Sequence, residues 1–293
     1  MSIFTGAGVA IATPMHADGS INYEAFGKLI DFQIENGTDA IVVCGTTGEA
    51  ATMTPEEHFG CIEYTVKKVA GRVPVIAGTG SNNTAKAVEN AKRAEALGVD
   101  GLLVVTPFYN KATQKGLILH FTAVAESVNI PIILYNVPGR TGCNIQPKTV
   151  AELAKVKNIV GIKEASGSLA QVSEMASLAG PDFDIYSGED GLVLPILSVG
   201  GKGVISVLSN VAPKDTHDMV MKFMEGDLEG ARKLQLGALD LIAALFCEVN
   251  PIPVKEALNM MGFAAGPCRL PLCAMEEKTH AQLEAAMKAY GLI

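Results

Sequence analysis

Cysteine is scarce in this sequence: six occur among 293 residues, and the two nearest, Cys268 and Cys273, are five positions apart. The six are Cys44, Cys61, Cys143, Cys247, Cys268 and Cys273. None belongs to a C-x-x-C pair, and a disulfide scaffold has a much higher cysteine density. We therefore predict that all six are reduced and structural. The five histidines also lie far apart along the chain, so the sequence gives no sign of a metal site.

Long apolar runs and basic clusters are missing as well. No apolar run approaches the roughly 18 residues that span a bilayer, and residues 1–6 have neither the basic nor the apolar region of a signal peptide. The net charge is −8 at pH 7, whereas binding to nucleic acids or anionic membranes requires a basic surface. These absences predict a cytoplasmic protein with no nucleic-acid or membrane partner.

Eight short apolar runs recur along the 293 residues and predict β-strands. They cover residues 8–12, 40–44, 73–77, 101–105, 131–135, 159–163, 183–186 and 203–207. The runs are nearly continuous in apolar residues, as in parallel strands buried on both faces. Amphipathic stretches of helix length separate them. Eight such units predict an α/β protein with a (β/α)8 TIM barrel, and an open doubly wound sheet is the alternative.

The strand pattern stops near residue 225. Residues 227–246, 253–261 and 276–290 then read as three helices. We therefore predict that residues 1–224 form the barrel with the active site and that residues 225–293 form a C-terminal three-helix domain. No low-complexity linker separates the two parts, so the extension should pack on the barrel.

The carboxyl ends of the predicted strands carry polar side chains, and barrel enzymes gather their chemistry at that end. Lys163 is the most informative of these residues because it interrupts the apolar strand of residues 159–163. Burial of an ammonium group usually lowers its pKa, which makes the lysine an amine nucleophile toward carbonyls. The alternative is a structural lysine that pairs with Glu49 or with another acid at the strand ends.

Further polar residues follow the neighbouring strands. Tyr135 ends the fifth strand, and its phenol suits proton transfer, although a packed core tyrosine is an equal alternative. Thr46 and Thr47 follow the second strand. They could hydrogen-bond a substrate carboxylate or relay a proton to Tyr135, or they could be ordinary turn residues. Arg140 follows a Pro-Gly turn, where its guanidinium suits either bidentate binding of a carboxylate or an exposed salt bridge.

Three motifs together resemble the dihydrodipicolinate synthase/N-acetylneuraminate lyase family, and the resemblance runs from about Phe4 to the C-terminal helices. The motifs are Gly45-Thr46-Thr47-Gly48-Glu49, Tyr135-Asn136-Val137-Pro138-Gly139-Arg140-Thr141 and Gly161-Ile162-Lys163-Glu164-Ala165-Ser166-Gly167. The resemblance implies a Schiff-base enzyme in which Lys163 condenses with pyruvate to an imine and then an enamine. It implies no cofactor and no metal for this chemistry.

The resemblance also implies a proton relay and a shared site. Tyr135, Thr46 and a tyrosine from the neighbouring subunit form the relay, and Tyr109 occupies the position of that last tyrosine. Family members are typically homotetramers of two tight dimers, which we expect for this chain.

The pyruvate-binding positions follow from the same resemblance. Thr47 holds the pyruvate carboxylate together with backbone near Ile205, and Gly188 offers its backbone near the lysine. In the synthase branch, an arginine at the position of Arg140 binds the carboxylate of L-aspartate 4-semialdehyde, which the enamine attacks. We therefore expect pyruvate and L-aspartate 4-semialdehyde as substrates, in the diaminopimelate pathway to lysine.

Two other functions remain open at the level of the sequence. A sister pyruvate-dependent aldolase, such as an N-acetylneuraminate or 2-keto-3-deoxy sugar acid lyase, would share the lysine but usually has other residues at the position of Arg140. A non-catalytic binding barrel would not need a lysine inside a strand.

Inhibition by L-lysine is a separate property of some family members, which bind lysine at a dimer interface. The matching positions in this chain are Ala50, Ala51, His58, Asn82, Lys86 and Phe108. Sensitive members have a glutamate in place of Lys86 and a tyrosine in place of Phe108. A cation in place of a carboxylate should repel the ammonium groups of the ligand. We therefore predict weak or absent inhibition.

Overall fold

Eight parallel strands form a closed barrel in the computed structural model, which describes residues 2–293. The strands are β1 (Gly6–Ala10), β2 (Ala40–Val43), β3 (Val75–Gly78), β4 (Gly101–Val105), β5 (Ile132–Asn136), β6 (Ile159–Glu164), β7 (Asp184–Ser187) and β8 (Gly203–Ser206). Neighbours in the chain pair with each other, and β8 closes on β1 from Gly6–Gly203 to Val9–Ser206. The predicted barrel is confirmed, and the open-sheet alternative is wrong.

Helices connect the strands and extend beyond the last one. They are α1 (Tyr23–Glu35), α2 (Pro55–Val69), α3 (Thr84–Ala96), α4 (Gln114–Ala125), α5 (Pro138–Thr141), α6 (Pro147–Leu153), α7 (Leu169–Ala179), α8 (Val193–Ser198), α9 (Pro213–Met224), α10 (Leu228–Gly237), α11 (Leu239–Leu245), α12 (Ile252–Met260) and α13 (Glu277–Tyr290). No helix within residues 2–293 is both long enough and apolar enough to cross a membrane.

The strands are buried on both faces, as their apolar sequences predict. Every residue of β1, β2, β3, β5, β7 and β8 is buried. One set of side chains, including Ile76, Ile133 and Tyr186, fills the interior of the barrel. The interior is therefore a packed core, and ligands can enter only at an end of the barrel.

The C-terminal extension differs from the prediction at one point. Residues 227–246, predicted as a single helix, form α10 and α11, with Ala238 as the C-cap of the first and the N-cap of the second. Gly237 has low helix propensity, but an isolated glycine in a helical pattern is often tolerated. The break lies at Ala238, which is fully buried. The other two predicted helices of the extension are present as α12 and α13.

Candidate active site

A cavity of about 470 Å³ opens where the carboxyl ends of the strands meet. Six of the eight predicted active-site residues line it, namely Thr46, Thr47, Tyr135, Arg140, Lys163 and Gly188. The C-terminal extension also lines the cavity, with Ile242, Ala243, Phe246 and Asn250. None of these four residues could be predicted from the sequence, because α11 has the same apolar pattern as any other packed helix and Asn250 lies in the loop after it.

Lys163 is held at the cavity by the strands on either side of it. Its register partners are Tyr135 on β5 and Tyr186 on β7. Lys163 Nζ lies 4.5 Å from the centroid of the Tyr135 ring, within the range of a cation–π contact. Burial lowers the pKa of Lys163 to about 8; the negative charge of Asp190 opposes this shift, and the positive charge of Arg140 adds to it. The neutral amine is therefore accessible near neutral pH, as a nucleophile requires.

Glu49 does not pair with Lys163. Its Oε1 accepts a hydrogen bond from Lys255 Nζ at 2.7 Å, and its Oε2 accepts one from the backbone N–H of Arg269 at 2.9 Å. Both side chains of the Glu49–Lys255 ion pair are buried. The alternative in which Lys163 is a structural residue paired with Glu49 is therefore wrong. An ammonium without a close counterion is more easily deprotonated, which agrees with the lowered pKa.

Asp190 is a buried carboxylate on the same cavity. Its oxygens accept hydrogen bonds from the Ser206 hydroxyl at 2.5 Å and from the backbone N–H groups of Val207 and Leu208 at 3.0 Å. Burial raises the pKa of Asp190, whereas these hydrogen bonds and Lys163 lower it. The carboxylate favours a cation at Lys163. Gly188 in this loop was predicted as a site residue, whereas Asp190 was not.

Gly188 lies where the backbones of β6 and β7 come close together. Its N–H donates to the Glu164 carbonyl at 2.7 Å, and a Cβ at this position would lie 2.7 Å from Ala165 Cβ. A side chain here would therefore displace the end of the strand that carries Lys163. Ile205, in contrast, is buried among the side chains that fill the barrel and does not line the cavity.

The loop after β2 presents its two threonines differently. Thr46 is exposed. Burial raises the pKa of Tyr135, and both the charge of Arg140 and a hydrogen bond with the Thr46 side chain oppose that rise. Thr47 is only 2% exposed, and its Oγ1 accepts a hydrogen bond from Asn250 Nδ2 at 3.0 Å. The structure thus places one threonine beside the phenol and fixes the other against the C-terminal extension.

Arg140 lies on the short helix α5 at the rim of the cavity. Its Nη2 donates to the Asn250 carbonyl at 3.4 Å, and no other hydrogen bond holds the guanidinium to residues 2–293. The side chain is otherwise exposed. Most of its N–H groups are therefore available to an anionic ligand.

Tyr109 does not line the cavity of its own chain. Its side chain is 90% exposed, and its φ of 70° lies in the left-handed region. The adjacent Phe108 is also exposed. The predicted relay role of Tyr109 therefore requires the site of a neighbouring subunit.

The positions matched to a lysine site, Ala50, Ala51, His58, Asn82, Lys86 and Phe108, lie outside the cavity. Asn82 Nδ2 donates to the Phe108 carbonyl at 3.2 Å, which brings these two positions together. Lys86 Nζ forms an ion pair with Glu89 Oε1 at 3.0 Å. The charge on Lys86 is thus partly balanced within its own helix, but the position remains cationic.

The cysteines are not paired in disulfides, and the possible metal ligands form no metal-binding group within the described residues. All six cysteines are free thiols. Among residues 2–293, no group of three or more His, Cys, Asp or Glu side chains is arranged to hold a metal ion.

Comparisons with known proteins give a consistent result over the whole chain. The model of the dihydrodipicolinate synthetase family matches residues 3–290. A 4-hydroxy-tetrahydrodipicolinate synthase from Acetivibrio thermocellus is 58% identical over 291 residues, which cover 99% of each protein. The crystal structure of a chloride-inhibited dihydrodipicolinate synthase from Acinetobacter baumannii complexed with pyruvate is 42% identical, with a TM-score of 0.97 and full coverage of both chains. A structure described as the first monomeric dihydrodipicolinate synthase variant is 44% identical, with a TM-score of 0.97 and coverage of 99% of this chain and 98% of that one.

Proposed function

Because this chain belongs to the dihydrodipicolinate synthetase family, we propose that it condenses pyruvate with L-aspartate 4-semialdehyde through an imine on Lys163. The observation that carries the proposal is the buried Lys163 amine, whose pKa is lowered to about 8 and whose Nζ lies over the Tyr135 ring. Full-length relatives at 58% identity are named 4-hydroxy-tetrahydrodipicolinate synthase. The reaction is that of a lyase in diaminopimelate and lysine biosynthesis.

The chemistry begins at the Lys163 amine. Neutral Nζ attacks the C2 carbonyl of pyruvate, and the resulting carbinolamine loses water to give an imine. Loss of a proton from the pyruvate methyl group gives an enamine, whose carbon attacks the aldehyde carbon while the aldehyde oxygen takes up a proton. The amino group of the semialdehyde then attacks C2, closes the ring and releases Lys163. Tyr135 and Thr46 pass protons in these steps.

The two substrate carboxylates are assigned to different parts of the cavity. Thr47, with backbone near Ile205, binds the carboxylate of pyruvate, and Gly188 offers its backbone near Lys163. Arg140 at the rim binds the carboxylate of the semialdehyde, and its largely unoccupied N–H groups support that assignment. The reaction as proposed uses neither a cofactor nor a metal.

We also propose a homotetramer built from two tight dimers, in which Tyr109 completes the relay of a neighbouring subunit. The exposed phenol of Tyr109, which lies outside its own cavity, supports this arrangement. One similar structure is described as a monomeric variant, so the assembly of this chain has to be measured. We assign residues 1–224 to the barrel domain and 225–293 to the C-terminal helical domain, and we place the enzyme in the cytoplasm.

Turnover with defined substrate pairs tests the proposal. We expect wild type to consume pyruvate together with L-aspartate 4-semialdehyde, and Lys163→Ala to be inactive while keeping the wild-type circular dichroism spectrum. A folded wild type that instead cleaves N-acetylneuraminate or a 2-keto-3-deoxy sugar acid would assign the chain to the sister lyases. A folded wild type with neither activity would contradict both assignments.

A further inference from the structure

Asn250 comes from the C-terminal extension but contacts both of the residues assigned to substrate carboxylates. Its side-chain Nδ2 donates to Thr47 Oγ1 at 3.0 Å, and its backbone carbonyl accepts from Arg140 Nη2 at 3.4 Å. The side chain is 5% exposed and lines the cavity. One residue outside the barrel therefore touches both anchors, through two different groups.

The direction of the bond to Thr47 decides what the threonine can do. An amide nitrogen only donates, so Thr47 Oγ1 is the acceptor in this pair. A hydroxyl has one proton and two lone pairs, and a Thr47 that accepts from Asn250 keeps its proton for a different acceptor. A carboxylate offers only acceptors. The contact thus prepares Thr47 as a donor to a carboxylate in the cavity.

The Asn250 amide makes a single side-chain hydrogen bond within the described residues, the one to Thr47. Its Oδ1 is buried and has no partner within residues 2–293. The bond from Nδ2 to Thr47 Oγ1 is therefore the one hydrogen bond that holds the Asn250 side chain to these residues. An unsatisfied buried acceptor is unusual in a folded protein, and this one belongs to a residue that lines the cavity.

The loop that carries Thr47 is held at a second point by the same extension. Lys255 Nζ and the backbone N–H of Arg269 both bind the carboxylate of Glu49, two residues after Thr47. On the other side of the loop, the Thr13 hydroxyl donates to the Gly48 carbonyl at 2.9 Å. With the backbone fixed in this way, the remaining freedom of Thr47 is the rotation of its hydroxyl, which Asn250 restricts.

We propose that Asn250 is a positioning residue for pyruvate: its amide holds Thr47 Oγ1 as an acceptor and so directs the Thr47 hydroxyl proton toward the substrate carboxylate. The inference rests on the proposed function, in which Thr47 binds the pyruvate carboxylate. Arg140 depends only on the backbone carbonyl of Asn250, which any side-chain substitution keeps. The side chain of Asn250 should therefore affect pyruvate binding and leave semialdehyde binding nearly unchanged.

The test is the pyruvate concentration that gives half-maximal borohydride trapping on Lys163, together with the KM of each substrate. We expect Asn250→Ala to raise the half-maximal concentration and the pyruvate KM by about tenfold, as for loss of one hydrogen bond in a buried site. The KM of the semialdehyde should change by less than about twofold, because the contact with Arg140 remains. In a Thr47→Val background, Asn250→Ala should have almost no further effect, since its partner is already gone.

A second variant of equal size keeps the test usable if Asn250→Ala does not fold, which thermal melts would show. In Asn250→Asp the carboxylate can only accept, so the Thr47 hydroxyl must donate to it and is lost to the substrate. We expect trapping to weaken at least as much as in Asn250→Ala. Normal pyruvate saturation in either folded variant would overturn the inference, and so would an equal rise in both KM values. Absence of trapping in wild type would instead contradict the proposed function itself.

Discussion

Tyr135 and Lys163 are register partners on adjacent strands, and Lys163 Nζ lies 4.5 Å from the centre of the Tyr135 ring. Burial raises the pKa of the phenol and lowers that of the amine to about 8. Both shifts favour the uncharged forms. A neutral amine can attack a carbonyl, and a neutral phenol can donate a proton to the oxygen that leaves as water. The pair therefore provides the groups that imine formation needs.

The first prediction concerns the pH dependence of imine formation. With a Lys163 pKa of about 8, the initial rate of borohydride trapping with pyruvate should rise through pH 8 and then level off, because the neutral amine is the nucleophile. Asp190→Asn removes a charge that raises this pKa, so its curve should shift to lower pH. A rise centred near the ordinary value of 10.5, in either protein, would contradict the assignment.

The second prediction is that Lys163→Met stabilises the protein while abolishing activity. The pKa of Lys163 is lower in the folded protein than in the unfolded chain, so the unfolded chain binds more protons between pH 8 and 10.5. The stability cost of the buried amine is therefore complete below pH 8 and disappears as the pH rises toward 10.5. The shift corresponds to a cost on the order of 3 kcal/mol at pH 7. We expect Lys163→Met to raise the free energy of unfolding by roughly 1–3 kcal/mol in denaturant titrations at pH 7.

The matched control for that prediction is Lys155→Met, because the Lys155 side chain is 70% exposed. It should change the free energy of unfolding by less than about 0.5 kcal/mol. A Lys163→Met protein that is no more stable than wild type would show that the buried amine carries no such cost.

The third prediction is that Tyr109 acts in the site of a neighbouring subunit. Tyr109→Phe should lose most of its turnover and keep its fold, since the side chain is 90% exposed. Co-expression with Lys163→Ala should restore activity to about a quarter of the wild-type level, because random pairing yields hybrid dimers with one intact site. Full activity in Tyr109→Phe, or no recovery in confirmed hybrids, would rule out the shared site.

The fourth prediction is weak or absent inhibition by L-lysine. Lys86, paired with Glu89, places a cation where the ammonium groups of the ligand would lie. Steady-state rates should stay unchanged at lysine concentrations near 1 mM. A dissociation constant of about 1 mM corresponds to a binding free energy of only about 4 kcal/mol. The combined variant Lys86→Glu and Phe108→Tyr should be more sensitive than wild type. A micromolar inhibition constant for wild type would disprove the prediction.

The sequence was sufficient to predict the barrel, because eight nearly continuous apolar runs are readable without knowledge of their contacts. Lys163 could be found because a lysine inside such a run is exceptional. The partner of Glu49 could not be predicted, because Lys255 lies 206 positions away in a helix whose sequence pattern is ordinary. Asn250 was missed for the same reason. The role proposed for it depends on the orientation of one amide toward Thr47, which no periodicity encodes.

The most direct test of the account is the site of covalent attachment of pyruvate. Wild type would be incubated with pyruvate, reduced with borohydride, digested and mapped by mass spectrometry beside Lys163→Ala. We expect one modified peptide, in which Lys163 has gained the mass of pyruvic acid less one oxygen atom, and no modification of the variant. A stable adduct on another lysine, or none on a wild type that turns over both substrates, would contradict Lys163 as the nucleophile.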